Sequence, residues 1–394
     1  MKPLAVSAYT LTTALGAGCA ATLAALQAQR TGLAPLRFLD LPLTTWTGEV
    51  DGVDAIVLPA PLAEFDCRNN RLAQMGLLAD GFAASVARAR ARFGAERVGV
   101  FLGTSTSGIL QTELAYRRRD PASGALPADF HYAQTHNTYS VADFVRRALD
   151  LQGPAFVVST ACSSGAKVFG NAARMMALGL IDAAVVGGID SLCLTTLYGF
   201  NSLELLSPDI CRPYDAQRNG LSVGEAAAFA LLERDAPAPQ AWLLGVGERS
   251  DGHHMSSPHP EGAGAAEAMR GALAQAGLDA AQVDYINLHG TATPNNDSAE
   301  DLAVGTVFGH RTPCSSTKGA TGHTLGAAGG VEAAIVMLAL QQGLMPGGLN
   351  RLTPDTTLRA NYLDTSRAAT LKVVASNSFG FGGSNACLVF GAAE

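Results

Sequence analysis

Short, continuous apolar runs alternate with longer alanine-rich stretches along the whole chain. The runs are VGVFLG (98–103), FVVST (156–160), AAVVGG (183–188), AAFALLE (227–233), YINLHG (285–290), KVVASNS (372–378) and ACLVFG (386–391). A strand with one wet face alternates apolar and polar residues, whereas a strand covered on both faces reads as an unbroken apolar run. Such strands spaced by helical stretches predict an α/β protein whose sheets are covered by helices on both sides.

The N-terminus needs separate treatment, because Leu4–Gln27 is apolar enough to suggest a leader or a membrane anchor. Thr10, Thr12, Thr13, Gly16 and Gly18 interrupt it well short of the ~18 residues a span requires. It divides into a strand (Leu4–Thr13), a glycine turn and a helix running through Ala21–Ala28, and no membrane span is expected.

Between Glu233 and Gln240 the segment RDAPAP breaks the pattern, and AWLLGVGE then starts a fresh strand. This predicts two halves, 1–236 and 237–394. Both end alike, on a glycine-rich loop leading into a strand, NGLSVGEAAAFALLE (219–233) and SFGFGGSNACLVF (378–390), which suggests a duplicated architecture. No short-period repeat, heptad seam or low-complexity tract is present.

Composition narrows the function. Of 394 residues 48% are hydrophobic and 15% charged, enough apolar material for a large core and against disorder. A net charge of −7 with scattered basic residues gives no phosphate-tracking stripe, so nucleic acid is a poor partner. The seven cysteines form no CxxC pair and no disulfide framework, which predicts reduced thiols and a cytoplasmic setting.

One cysteine stands out. Cys162 follows the apolar run 156–160 and precedes the helical stretch VFGNAARMMALGL, so it falls at a strand-to-helix turn among small residues. A helix start favours thiolate over thiol, and the small neighbours admit a substrate to the sulfur. A buried structural cysteine would fit the same segment. His289 and His323 lie among glycines and small hydroxyl residues, in HGTATPNND and KGATGHTLGAAG. Either alone is compatible with a satisfied structural histidine. With Cys162 they suggest a Cys–His–His set.

Here the chain resembles the condensing enzymes of the thiolase superfamily, and within it the 3-oxoacyl-[acyl-carrier-protein] synthases that elongate acyl chains. The resemblance runs from about Val98 to the C-terminus. It is carried by GTSTSG (103–108), STACSSGAK (159–167), DAAVVGGIDSL (182–192), RPYDAQRNGLSVGEAA (212–227), LHGTATPNND (288–297), KGATGHTLGAAGGVEA (318–333) and SNSFGFGGSNA (376–386).

The resemblance implies a thiolase-like fold: two similar fused halves in an α-β-α-β-α arrangement with five-stranded mixed sheets. It implies that Cys162 takes the acyl chain as a thioester, with its own N–H and that of Phe381 forming the oxyanion hole. His289 and His323 would bind the malonyl thioester and stabilise the enolate left by decarboxylation, chemistry that needs no metal and no cofactor beyond the phosphopantetheine of the carrier. Lys318 and Glu332 match the family's supporting ion pair, Asp297 and Glu300 its supporting acids, and Thr291 and Thr293 its pantetheine-binding positions. Arg68 and Arg71 match docking positions for an acidic acyl carrier protein; for Arg117, Arg118 and Arg119 a solvated helix face suffices. The partners implied are acyl carrier protein, acyl and malonyl thioesters, and a second subunit, identical or related.

A histidine in place of Asn at 323 argues against the priming synthases, and retention of Cys162 against a non-elongating chain-length-factor-like partner of another synthase. His253, His254 and His259 have neither HExxH spacing nor a completing acid or cysteine, so a loop beside the acyl pocket fits better than a metal site. The glycine loops lack a full GxGxxG with a ribose-binding acid, and Ser163 and Ser164 lie in no GxSxG frame, so neither NAD binding nor serine hydrolysis is expected. The N-terminal third and Asp120–Tyr139 depart from housekeeping synthases, leaving a specialised aryl polyene or polyketide pathway beside fatty-acid synthesis.

Overall fold

The computed structural model describes residues 1–393. Ten principal strands follow the predicted runs closely. In the first half they are β1 (Leu4–Thr13), β2 (Val98–Gly103), β3 (Ala155–Val158), β4 (Ala183–Asp190) and β5 (Ala226–Glu233). The second half has β6 (Ala241–Ser250), β7 (Tyr285–Asn287), β8 (Pro313–Ser315), β9 (Val373–Gly380) and β10 (Ser384–Ala392).

The strand order is β3-β2-β4-β5-β1 in one half and β8-β7-β9-β10-β6 in the other, each strand's counterpart lying five numbers on. Directions repeat as well. β2 is parallel to β3 and β4, while β4–β5 and β5–β1 are antiparallel. β7 is parallel to β8 and β9, while β9–β10 and β10–β6 are antiparallel. The two mixed five-stranded units meet where β1 pairs with β6 through Leu4, Ala5 and Val6, and the short strand Asn361–Tyr362 extends the β8 edge.

Burial on both faces explains the unbroken apolar runs. Ala228, Ala230 and Leu232 of β5 pack inward, while Ala227, Phe229 and Leu231 pack on the outer side, a period-two division within one apolar segment. The inner faces of both sheets close on two central helices, α2 (Ser164–Ala177) and α5 (Ala328–Gln342). The outer face of the first sheet meets α1 (Arg68–Leu78) and its neighbours; that of the second meets α3 (Ala263–Ala276) and α4 (Pro294–Phe308). The layers are α-β-α-β-α, and the fold is thiolase-like.

Helix α5 is apolar all round because it is surrounded, and its one charged residue is Glu332. The window Leu325–Gln342 is long and apolar enough to cross a membrane, but 89% of it is buried inside the protein. The N-terminal segment is β1, a two-residue strand and the helix Cys19–Gln27, packed into the core.

Glycine lets the central helices approach backbone to backbone. A Cβ at Gly165 would stand 2.7 Å from the carbonyl oxygen of Gly326 and 2.8 Å from the nitrogen of Gly330. The loop before α5 is thereby brought against the start of α2. Those segments are counterparts: β3 leads through Cys162 into α2, and β8 leads through Lys318 and His323 into α5.

Candidate active site

Cys162 sits two residues before α2, and the residue ahead of it, Ala161, has φ +51°. A non-glycine residue there costs on the order of 1 kcal/mol and makes the tight turn that projects the sulfur. Ala292 and Leu325, beside the two histidine loops, share this left-handed conformation at φ +66° and +56°. All three strained positions flank one small volume.

In that volume one ligating atom from each of Cys162, His289 and His323 lies within 4.8 Å of the others, and all three residues are buried. His323 Nε2 is 2.9 Å from Cys162 Sγ, and the two imidazole rings meet edge to face with centroids 5.3 Å apart. Lys318, in a single helical turn (Lys318–Thr321), donates to the carbonyl of His289 at 2.6 Å and faces its Nδ1 at 3.3 Å. The same ammonium is paired with Glu332 of α5, in an environment where an unpaired charge would cost several kcal/mol.

These contacts fix the ring tautomers. An ammonium only donates, so Nδ1 of His289 accepts and its proton resides on Nε2. The backbone N–H of Leu325 donates to Nδ1 of His323 at 3.3 Å, with the same consequence. Burial holds both imidazoles well below their usual range, the charge of Lys318 adding to the effect, so both are neutral near pH 7. The site therefore presents two neutral Nε2–H donors. This tautomer also disfavours a metal, because coordination through Nε2 would require removing the proton that Lys318 and Leu325 keep there.

Burial pushes the Cys162 thiol up to about 11, while the charge of Lys318 and the backbone N–H of Phe381 pull it down. The lowering expected from a helix start is thus opposed, and the thiolate is stabilised by donors around the sulfur rather than by the helix end alone. Phe381 belongs to the β9–β10 hairpin loop. A Cβ at Gly380 would stand 2.8 Å from the oxygen of Thr160 and 3.2 Å from the nitrogen of Cys162, so the hairpin rides directly on the nucleophile turn.

Behind the histidines, Glu300 of α4 accepts from the N–H groups of His289 (2.8 Å) and Gly290 (2.7 Å) and from Asn377 (3.1 Å), and burial pushes it up to about 7. Asp297 accepts from the N–H groups of Tyr214 and Ala292, with Arg218 beside it; burial raises it too. Both acids hold the loop 289–293 by its backbone. Thr291 and Thr293 share a 2.9 Å hydrogen bond on the wall of a cavity of about 310 Å³. Cys162, His289, His323 and Phe381 line that cavity, together with the polar Ser256, Ser257, Asn295 and Asn296 and the apolar Phe200, Leu203, Leu205 and Leu221.

One expectation needs correction. Arg68 is not free to dock a carrier: its side chain is 5% exposed and bonded to Glu225 at 2.6 and 2.9 Å and to Asp54 at 2.8 Å, tying α1 to the residue just before β5. Arg71 is more exposed and paired with Asp66. The loop carrying His253 and His254 does lie beside the cavity, which Asp251, Ser256, Ser257 and Pro258 line, but the two histidines are exposed outside it, and the His254 ring accepts the backbone N–H groups of Ser256 and Ser257 at 3.2 Å.

Sequence reasoning missed Asp190. Fully buried, it gathers the N–H groups of Ser105 and Thr106, the hydroxyls of Thr104 and Thr106, and the N–H of Ala327, joining the GTSTSG loop to the start of α5. It also missed Asn377, whose signal was its place in a glycine-rich motif read for its loop alone.

A turn-borne cysteine, two neutral imidazole donors and a buried ion pair at the junction of duplicated α/β halves define a cysteine-dependent condensing enzyme. Residues 72–238 match the beta-ketoacyl synthase N-terminal domain and 240–351 the beta-ketoacyl synthase C-terminal domain. The chain belongs to the beta-ketoacyl synthase family and is an acyltransferase. It is 37% identical to a 3-oxoacyl-[acyl-carrier-protein] synthase 2 of Rhizobium meliloti, over 74% of this chain and 73% of that protein. It is 40% identical to the mitochondrial 3-oxoacyl-[acyl-carrier-protein] synthase of Arabidopsis thaliana, over 61% of this chain and 56% of that protein. Among solved structures, a chain of the Xenorhabdus doucetiae ketosynthase in complex with its chain length factor superposes with a TM-score of 0.91 at 38% identity, covering 99% of this chain and 98% of that one. A beta-ketoacyl synthase from Burkholderia phymatum gives 0.88 at 29% identity with full coverage of both.

Proposed function

We propose that this chain extends carrier-bound acyl thioesters by decarboxylative condensation with a malonyl thioester. The observation that carries the reading is the convergence of the Cys162 sulfur with His289 and His323, both held in the Nε2–H tautomer. In the first half-reaction the sulfur attacks the acyl thioester, whose oxyanion is held by the N–H groups of Cys162 and Phe381. The carrier thiolate leaves and takes up the proton the cysteine gave. In the second, the malonyl C–CO₂ bond breaks, carbon dioxide departs, and the enolate oxygen accepts from the two Nε2–H groups. The enolate carbon then attacks the acyl carbonyl, the new C–C bond forms, and Cys162 is released. Donors preset for a developing oxyanion are worth ~2.7–4 kcal/mol each in comparable enzymes.

Thr291 and Thr293 suit the amide-bearing pantetheine arm, since both line the cavity and carry hydroxyls that can bond an amide, and the arm arrives on the acyl carrier protein. With Arg68 spent internally, Arg71 is the remaining proposed docking cation of the pair. The division into residues 1–236 and 237–394 is supported by the repeated strand order and by the family domains, which meet between residues 238 and 240. Free cysteines and carrier-thioester chemistry support a cytoplasmic setting. The likeness to chains of ketosynthase–chain length factor complexes supports a heterodimer with a related subunit over an identical pair, and a specialised pathway over housekeeping fatty-acid synthesis.

The test is extension of carrier-bound acyl chains of graded length and unsaturation, with product masses read directly. Extended 3-oxoacyl products support the reading. A chain that extends none, alone or with a related subunit, would instead be a structural partner of another synthase.

A further inference from the structure

Lys167 lies on α2, five residues beyond Cys162, and no step above uses it. Its side chain is only 17% exposed, a costly setting for an ammonium, and burial lowers its pKa. Among the described residues its one close hydrogen bond reaches across the two halves to the hydroxyl of Ser384, at 2.6 Å. The charged groups facing it are Glu248 of β6, at 4.0 Å, and Arg174 of its own helix, which is itself bonded to Glu248 at 2.9 Å.

Ser384 is a specific place to anchor. It opens β10 and pairs with Gly380, the last residue of β9, so these two residues are the base of the loop Phe381–Gly383. One leg of that base, Gly380, rests on the Thr160–Cys162 turn; the other, Ser384, is held by Lys167. The two legs are therefore fixed to the nucleophile turn and to the helix that follows it. The loop is also held from the far side, where Gly382 donates to the carbonyl of Met255 and Asp251 donates to that of Gly383, each at 2.8 Å. The Gly380 and Lys167 contacts tie the base of the loop to the nucleophile segment, while at its tip the Phe381 N–H faces the Cys162 sulfur and the Phe381 ring packs on Phe200.

We infer that Lys167 is a positioning residue: through Ser384 it sets the depth of the Phe381 loop relative to Cys162, and so the alignment of the Phe381 N–H with the acyl oxygen. The inference rests on the proposed oxyanion role of that N–H. It acts on the acyl-transfer half-reaction, because the enolate of the second half-reaction is held by His289 and His323, which Lys167 does not touch.

The experiment measures three quantities on the full-length protein: acylation of Cys162 by a short acyl-pantetheine thioester, by intact mass against time; release of carbon dioxide from malonyl-pantetheine; and the melting temperature. Lys167→Met is expected to slow acylation at saturating thioester by roughly tenfold, part of the ~10²–10³ lost when an oxyanion donor is removed outright. The half-saturating concentration, carbon dioxide release and melting temperature should stay near wild type. Lys167→Arg, which still reaches a hydroxyl acceptor, should restore most of the rate. Ser384→Ala should reproduce the defect, and the double variant should be no worse than either single one. Unchanged acylation in Lys167→Met overturns the inference. So does a parallel fall of acylation, carbon dioxide release and melting temperature, or additive single effects. A wild-type protein that takes no acyl group overturns the proposed function as well.

Discussion

His323 Nε2 stands 2.9 Å from Cys162 Sγ, and the opposite nitrogen of that ring accepts the backbone N–H of Leu325, so the proton between ring and sulfur belongs to the ring. The histidine is thereby a donor to sulfur and to enolate rather than a resting base. Burial keeps it neutral, which preserves that role near pH 7.

His323→Ala should lower condensation by ~10²–10³, the usual loss when a preset oxyanion donor is removed. His323→Asn, which keeps an N–H, should lose less. Steady-state condensation rates of the two variants check the order; equal losses would mean that donation is not what the ring supplies.

Lys318→Met should act twice. It leaves Glu332 buried without its partner, which costs ~3–5 kcal/mol in comparable buried pairs and is measured by chemical denaturation. It also removes the positive charge that lowers the Cys162 pKa against burial, so alkylation of Cys162 by iodoacetamide at fixed pH should slow. The double variant Lys318→Met, Glu332→Leu should regain stability but not condensation.

Glu300 gives a pH test. Its folded pKa is raised by burial from 4.5 to about 7, so the folded protein binds a proton there more tightly than the unfolded chain does. That contribution to stability is complete below about 4.5 and is lost as pH rises through about 7. Glu300→Gln loses one acceptor, since an amide nitrogen cannot take the N–H that the second carboxylate oxygen accepts, and should be less stable than wild type; because the amide does not titrate, that deficit should narrow as pH rises from 5 to 8. A constant difference across that range would contradict the assignment.

Arg68 and Arg71 should separate cleanly. Arg68→Ala leaves Glu225 buried and unpaired and should cost ~3–5 kcal/mol of stability. Arg71→Ala, on the surface, should leave stability within about 1 kcal/mol. It should raise the half-saturating carrier concentration at low salt, an effect that fades as salt is added.

Much of this was legible in the sequence for one physical reason. Strands covered on both faces are unbroken apolar runs, so β1, β2 and β5 could be bounded to within a residue or two. The three-residue β8 carries too short a run to be read. Cys162, His289, His323, Lys318 and Phe381 stand in glycine-rich motifs, which mark close backbone approach wherever they occur. Arg68 was assigned to docking by resemblance alone, since its partner Glu225 lies 157 residues away and nothing local shows the pairing. Asp190, 86 residues from Thr104, and Lys167, 217 from Ser384, were unread for the same reason. Their roles come from what the fold brings to them.

The central claim is that Cys162 carries the acyl chain. Incubation with an acyl-pantetheine thioester, followed by digestion and peptide mass mapping, tests it most directly. The account predicts one acyl group on the peptide containing Cys162, absent in Cys162→Ala and discharged when a malonyl thioester is added. Condensation without that adduct, or an adduct on Cys193 or Cys211 instead, would contradict it.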